Sequence, residues 1–155
     1  MTPETSSDSE ITARQSAMKV LALADENALE MAYNNFKNRP NWQFTRKPET
    51  GLIMARGRMG GGGAPFNIGE VSVTRATVTL ASGETGHAYC HGRNQRKAAI
   101  AAFFDAAWQN PALRPRVESE IIAPLTQHIK ADDSRKSRET AATKVDFFTL
   151  VRGDN

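Results

Sequence analysis

The sequence predicts an α+β domain in which an N-terminal helical pair, an antiparallel sheet of about four strands and C-terminal helices follow one another. Apolar residues recur at helical spacing over residues 11–36, alternate at strand spacing between residues 42 and 91, and return to helical spacing from residue 95. The chain has 155 residues, a usual length for one domain. We expect a disordered tail at residues 1–8 and a single domain over residues 9–155.

Two helices open the predicted domain. Ser9 is a suitable N-cap for a helix that ends near Leu23, and Asp25 is a suitable N-cap for the next. The second helix carries apolar residues at helical spacing as far as Phe36, and Pro40 ends it. The two helices are therefore joined by a short turn.

Four strands are predicted next. They cover residues 42–47, 50–59, 66–80 and 86–91. In the third, the alternation of apolar residues changes parity between Val73 and Ala76, which a β-bulge near Thr74 and Arg75 would explain. The turn over residues 81–86 joins the last two strands as a hairpin.

The C-terminal third of the chain is predicted to be helical. Asn94 is a suitable N-cap for a helix with a full apolar stripe. The stripe consists of Ile100, Phe103, Phe104, Ala107 and Trp108. Another helix is predicted to end at Ile122, and Pro124 is predicted to open the last one. Residues 131–144 are charged, so we expect them to face solvent or a partner.

Composition restricts the class of protein. The net charge of +3 and the isoelectric point of about 9.2 permit a polyanionic partner without requiring one. The single cysteine, Cys90, excludes an intramolecular disulfide and a multi-cysteine zinc site. Neither a signal peptide nor an apolar run of about 18 residues is evident. We expect a cytoplasmic protein that does not bind a membrane.

A run of glycines separates the second and third predicted strands, and two arginines precede it. Gly60, Gly61 and Gly62 let the backbone approach a ligand and present N–H groups to an anion. Arg56 and Arg58 share one face of the preceding strand, and their planar guanidinium groups suit phosphate oxygens. We predict that this segment binds an anionic substrate; the alternative is a flexible turn beside solvated charge.

Arg93 is a further candidate for this anion site because it directly precedes a predicted helix N-terminus, where N–H groups and the helix dipole favour anions.

Catalysis and metal binding have weaker support in the sequence than anion binding has. His87 and His91 would lie about 13 Å apart on a strand, and no pair of carboxylates stands near the arginines. We therefore predict no metal site and no catalytic residue.

A small basic protein that binds nucleic acid or another anion, without a catalytic role, is the alternative function. The two N-terminal helices resemble a helix-turn-helix in outline. However, Glu26 and Glu30 stand near the start of the second helix, where a recognition helix should meet phosphates and bases. We therefore do not expect nucleic acid as a partner.

Several strings in order along the chain resemble the PhnG family, the G subunits of the bacterial carbon–phosphorus lyase complex. They are residues 49–61 (ETGLIMARGRMGG), 66–76 (FNIGEVSVTRA), 92–94 (GRN), 122–125 (IAPL) and 145–154 (VDFFTLVRGD). Two departures stand out: Asn94 replaces an expected Asp, which keeps the N-cap chemistry, and the glycine run is longer than expected.

The resemblance implies an accessory subunit of an enzyme in organic phosphonate catabolism. The synthase step joins an alkylphosphonate to the ribose of ATP and releases adenine. The implied partners are the H, I and J subunits of the core complex. The complex uses MgATP as a substrate, and no cofactor is expected in this subunit.

The C-terminal segment is predicted to bind a partner subunit. Strict alternation fails where two aromatic residues adjoin, so both faces of the segment are apolar and both need cover. The predicted interface residues are Phe147, Phe148, Leu150, Arg152 and Asp154. The alternative is a terminal strand packed wholly into this domain.

Overall fold

A computed structural model describes residues 4–142 as three antiparallel strands with the helices packed on one face of the sheet. The elements are α1 (Glu4–Leu23), α2 (Glu26–Asn35), β1 (Trp42–Arg58), β2 (Pro65–Leu80), β3 (Thr85–His91), α3 (Gln95–Gln109), α4 (Arg114–Val117) and α5 (Ala123–Ala142). This order confirms the predicted α+β class. The predicted partner-binding residues between positions 147 and 154 lie outside the described residues. No helix within residues 4–142 is long and apolar enough to cross a membrane.

The first two helices follow the prediction closely. Helix α1 begins at Glu4 rather than at Ser9, so residues 4–8 extend the helix where the sequence predicted a tail. The Asp25 cap of α2 is confirmed, because its carboxylate accepts a hydrogen bond from the backbone N–H of Ala28 at 3.1 Å. Leu29 on α2 is fully buried, which holds this helix against α3.

The sheet has three strands rather than four because the first two predicted strands are one. Strand β1 runs unbroken through Pro48, and its pairing with β2 shifts register before resuming at Glu49, opposite Arg75. Proline has no N–H to donate to a ladder. A proline inside an apolar alternation therefore usually indicates that the strand ends there. An edge strand with a register shift tolerates it, and β1 is at the edge in the order β1–β2–β3.

The predicted bulge near Thr74 is wrong. Strands β2 and β3 pair without a register shift from Val73 to Thr79. Thr74 continues the inward-facing side of β2 and is fully buried. Its hydroxyl donates to the carbonyl of Gly92 at 2.8 Å and lies 2.9 Å from the hydroxyl of Thr50. These bonds make a buried polar side chain acceptable, so the apparent change of parity needed no extra residue.

The core lies between the sheet and α3. The apolar stripe predicted on α3 is confirmed, since all five of its residues are buried. The rings of Phe103 and Phe104 meet those of Tyr33 and Phe36 edge to face. The Asn94 cap of α3 is also confirmed, because its side chain accepts from the N–H of Lys97 at 2.8 Å.

The last helical segment is continuous from Arg114 to Ala142. A π-helical turn, Glu118–Ile122, joins α4 to α5, and Pro124 follows two residues later as the second residue of α5. A proline within a helix removes one hydrogen bond and crowds the carbonyl four residues earlier. A π turn at this point lets the helix continue past Pro124.

Candidate functional site

The arginines and glycines predicted to bind an anion lie on an extension of the sheet. Strand β3 pairs with β2 only as far as Val73. Beyond that point β1 and β2 continue as a two-stranded ribbon, which we call the β-arm: residues 52–58, the connection at 59–64, and residues 65–72. Seven residues of strand correspond to a length of roughly 23 Å. The β-arm has no buried side chain among those whose exposure is described.

Arg56 and Arg58 lie near the tip of the β-arm. Arg56 pairs with Asn67 and Arg58 with Pro65. Both arginines are exposed, and a guanidinium nitrogen of Arg58 donates to the carbonyl of Gly63 at 3.3 Å. Their planar donor groups are thus presented near the tip, where they could bind carboxylate or phosphate oxygens.

The glycine run forms the end of the β-arm. The segment Met59–Gly61 makes a short 3₁₀ turn, and the N–H of Gly63 donates to the carbonyl of Met59 at 3.0 Å. Gly60 has φ of +59°, in the left-handed region where a glycine is favoured. The glycines therefore have a defined conformational role in closing the ribbon, beside the predicted role in anion binding.

Arg93 lies at the base of the β-arm, far from the other two arginines. Its Nε donates to the Ser72 hydroxyl at 3.4 Å, and the side chain lines a shallow concavity with Leu52 and Gln95. Ser72 and Asn67, which pairs with Arg56, are five residues apart on β2, or roughly 17 Å. The predicted anion-binding residues thus fall into two separate groups, one at the tip of the β-arm and one at its base.

Asp105 is a charged residue that sequence reasoning missed. It is 1% exposed within α3, and its carboxylate accepts two hydrogen bonds from the Arg14 guanidinium, at 2.9 and 2.7 Å. The backbone N–H of His87 donates to the same carboxylate at 2.8 Å. The hydrogen bonds with Asp105 raise the pKa of Arg14. This cluster joins α1, α3 and β3, and an acid inside an apolar helical stripe was the available signal.

The remaining candidates for catalysis or metal binding are the cysteine and two of the histidines. Burial raises the pKa of the Cys90 thiol, which is 1% exposed, so the thiol stays protonated at neutral pH. His87 and His91 are both exposed on β3, with Nδ1 of His87 lying 3.1 Å from the Thr77 hydroxyl. Within residues 4–142, no three side chains of His, Cys, Asp or Glu are grouped as metal ligands.

Exposed apolar residues on the β-arm are the second feature that sequence reasoning missed. Six large apolar side chains of the arm are exposed, at fractions from 38% to 75%. They are Leu52, Ile53, Met54, Met59, Phe66 and Ile68. Strand alternation predicted a sheet at these positions, but it could not show that part of the sheet lacks a helical cover.

Comparison with known proteins supports the resemblance seen in the sequence. A family model described as "Phosphonate metabolism protein PhnG" matches residues 12–153. A relative from Rhizobium meliloti (strain 1021), named alpha-D-ribose 1-methylphosphonate 5-triphosphate synthase subunit PhnG, is 45% identical over 152 residues. The match covers 98% of this chain and 97% of the relative. The chain therefore belongs to the PhnG family of phosphonate metabolism proteins.

Proposed function

We propose that this chain is an accessory subunit of the synthase that joins an alkylphosphonate to the ribose of ATP and releases adenine. The observation that supports this function is the 45% identity, over nearly the whole of both chains, to a protein named as a subunit of such a synthase. The proposed partners are the H, I and J subunits, in the cytoplasm. MgATP is a substrate of the assembled complex, with no cofactor held by this subunit.

The settings of the ionisable residues support an accessory role. Asp105 is engaged by Arg14 and by a backbone N–H, and Cys90 is buried and protonated. The exposed Arg56 and Arg58 side chains carry N–H donors and no acceptor, so they suit the binding of anions. These groups suit positioning and binding, and we propose that the partner subunits carry out proton transfer and bond cleavage.

The test is reconstitution. The H, I and J subunits are co-expressed with and without this chain, and adenine release from MgATP and methylphosphonate is measured. We expect turnover by the full complex, a large loss without this chain, and no turnover by this chain alone. Robust adenine release by the isolated chain would contradict an accessory role, and full activity without it would contradict the proposed function.

Anion binding is a second candidate role, and the surroundings of Arg93 favour it at the base of the β-arm. The guanidinium lies beside a concavity, and Arg93 directly precedes Asn94, the N-cap of α3. Under this role, Arg93→Ala lowers adenine release by the assembled complex roughly tenfold or more, since a hydrogen bond to a charged group contributes about 1.5–3 kcal/mol. Unchanged activity in an intact complex would exclude substrate binding by Arg93.

A further inference from the structure

The β-arm has one face that is almost entirely apolar. The register places Ile53 opposite Val71 and Gly57 opposite Phe66, and residues directly opposite each other in a ladder share a face. The side chain of Ile68 lies over Gly57, where a Cβ atom would collide with it. We call the resulting surface the apolar strip; it consists of Ile53, Ala55, Phe66, Ile68 and Val71.

The opposite face of the β-arm is mixed and carries the charges. Leu52 and Met54 lie nearest the body of the protein, and Arg56 and Arg58 follow toward the tip. Across residues 52–72 there are two arginines and one acid, Glu70, which gives the arm a net charge of +1 (+2 and −1). The arm therefore has an apolar face and a face that becomes cationic at its tip.

The apolar strip leaves large apolar side chains exposed beside one another. Ile68 is 66% exposed, Phe66 45% and Ile53 38%. Contiguous apolar patches beyond a few hundred Å² mark interaction sites. A two-stranded ribbon in water is also marginally stable unless further strands or a packed surface support it. Among residues 4–142, neither a third strand nor a helix covers this ribbon.

We propose that the β-arm is a surface through which this subunit docks onto another subunit of the synthase, in addition to the predicted C-terminal segment. The partner subunit contributes a groove that receives the arm. The groove has an apolar wall against the apolar strip and carboxylates that face Arg56 and Arg58. This inference rests on the proposed function, because it requires a synthase complex. Burying both faces of the arm supplies the cover that residues 4–142 of this chain do not supply.

Charge favours a different subunit over a second copy of this chain. Two β-arms that pair through their apolar strips would leave Arg56 and Arg58 of both copies on the uncovered opposite faces, without carboxylates to neutralise them. Carboxylates of a partner would neutralise the same arginines through charge-assisted, bidentate hydrogen bonds. The proposed partner surface is therefore apolar with an acidic rim.

The proposal is tested with two matched substitutions in the full chain, co-expressed with the H, I and J subunits and captured through a tag on this chain. Ile68→Asp places a charge on the apolar strip. Ile11→Asp makes the same change at an exposed position of α1, where Ile11 is 53% exposed. We expect Ile68→Asp to reduce the retained partner subunits about tenfold or more, and Ile11→Asp to retain them as the wild type does.

Thermal transitions and capture of the other subunits together distinguish a docking defect from a folding defect. Equal thermal transitions of the two variants establish that Ile68→Asp acts on docking rather than on folding. If the wild type captures the other subunits and Ile68→Asp captures them equally, the docking proposal is overturned while the proposed function stands. If the wild type captures none of them, the proposed function itself fails.

The arginines and the oligomeric state give two further outcomes. Arg56→Glu combined with Arg58→Glu should also lower capture, since it sets like charges against the carboxylates of the partner. Intact capture with lost adenine release would instead assign these arginines to substrate and overturn their docking role. Light scattering that shows a wild-type dimer and a monomeric Ile68→Asp variant would make the arm a self-association surface.

Discussion

Asp105 shows how much of this fold depends on one side chain. It lies within the apolar stripe of α3, yet its carboxylate connects Arg14 on α1 with the backbone of His87 on β3. A buried carboxylate is costly unless it is paired and hydrogen-bonded, and here it is both. The two hydrogen bonds from Arg14 also tie α1 to α3.

We predict that Asp105→Ala destabilises the protein by about 2–4 kcal/mol, since it leaves the His87 N–H without its acceptor and Arg14 without its partner. The loss of stability should not exceed this range, because Arg14 is 32% exposed and its guanidinium can hydrogen-bond to water in the variant. For a domain of this size the thermal midpoint should fall by roughly 5–15 °C. Asp133→Asn, at an exposed position of α5, is the control and should leave the midpoint unchanged.

Gly86 gives a second test of packing at a single residue. A Cβ atom there would collide with backbone atoms of Ala102 and Ala106, so β3 and α3 touch at this glycine. We predict that Gly86→Ala costs about 1–3 kcal/mol or more, because two backbones must move apart. Gly51→Ala, also in a strand but with open space around its Cβ, is the control. Equal denaturation midpoints for the two variants would contradict the close contact.

Among the elements, the hairpin of β1 and β2 has two parts with different support. Residues 73–79 of β2 pair on both sides and pack on α3, whereas residues 65–72 pair only with β1. The inward residues Ala76 and Val78 are buried, and Ile68 on the β-arm is exposed. One strand therefore belongs to the core at one end and to the surface at the other.

We predict that backbone amides of residues 52–58 and 65–72 exchange hydrogen much faster than those of residues 73–79 in the isolated protein. Amides that are covered only by one neighbouring strand open locally without unfolding the core. Hydrogen exchange with mass spectrometry measures this directly. The same β-arm peptides should become protected in the assembled complex, whereas protection that does not change would count against docking through the arm.

At the scale of the whole molecule, the described residues bury a core of their own. Trp108, Phe103 and Phe104 are at most 2% exposed, and the ring of Trp108 is covered by the guanidinium of Arg114 at 3.7 Å. The indole N–H of Trp108 donates to the carboxylate of Glu118. The core thus extends from the sheet through α3 to the start of the last helical segment.

The predicted role of the C-terminal segment leads to a test at this scale. We predict that deleting residues 145–155 preserves a cooperative thermal transition, because the core above consists of earlier residues. The same deletion should abolish capture of the other subunits, since the apolar residues of the segment are predicted to bind a partner. A truncated chain that unfolds or precipitates by itself would instead place the segment in this domain's core.

The sequence by itself determined the class of fold, the two side-chain caps, the apolar stripe of α3 and the family. Each depends on residues close together in the chain: Asp25 and Asn94 cap the helices that they directly precede, and helical spacing places Phe104 and Trp108 on one side. Ordered motifs identify a family for a related reason, since they are read along the chain.

Only the tertiary structure showed which of these local features contact one another and which are buried. It showed that β1 continues through Pro48 at a sheet edge, that Thr74 is buried with its hydroxyl satisfied, and that Asp105 meets Arg14 across 91 residues. It also showed that the β-arm lacks a cover among the described residues. Pairing, burial and cover depend on groups that are distant in sequence, so periodicity and propensity cannot supply them.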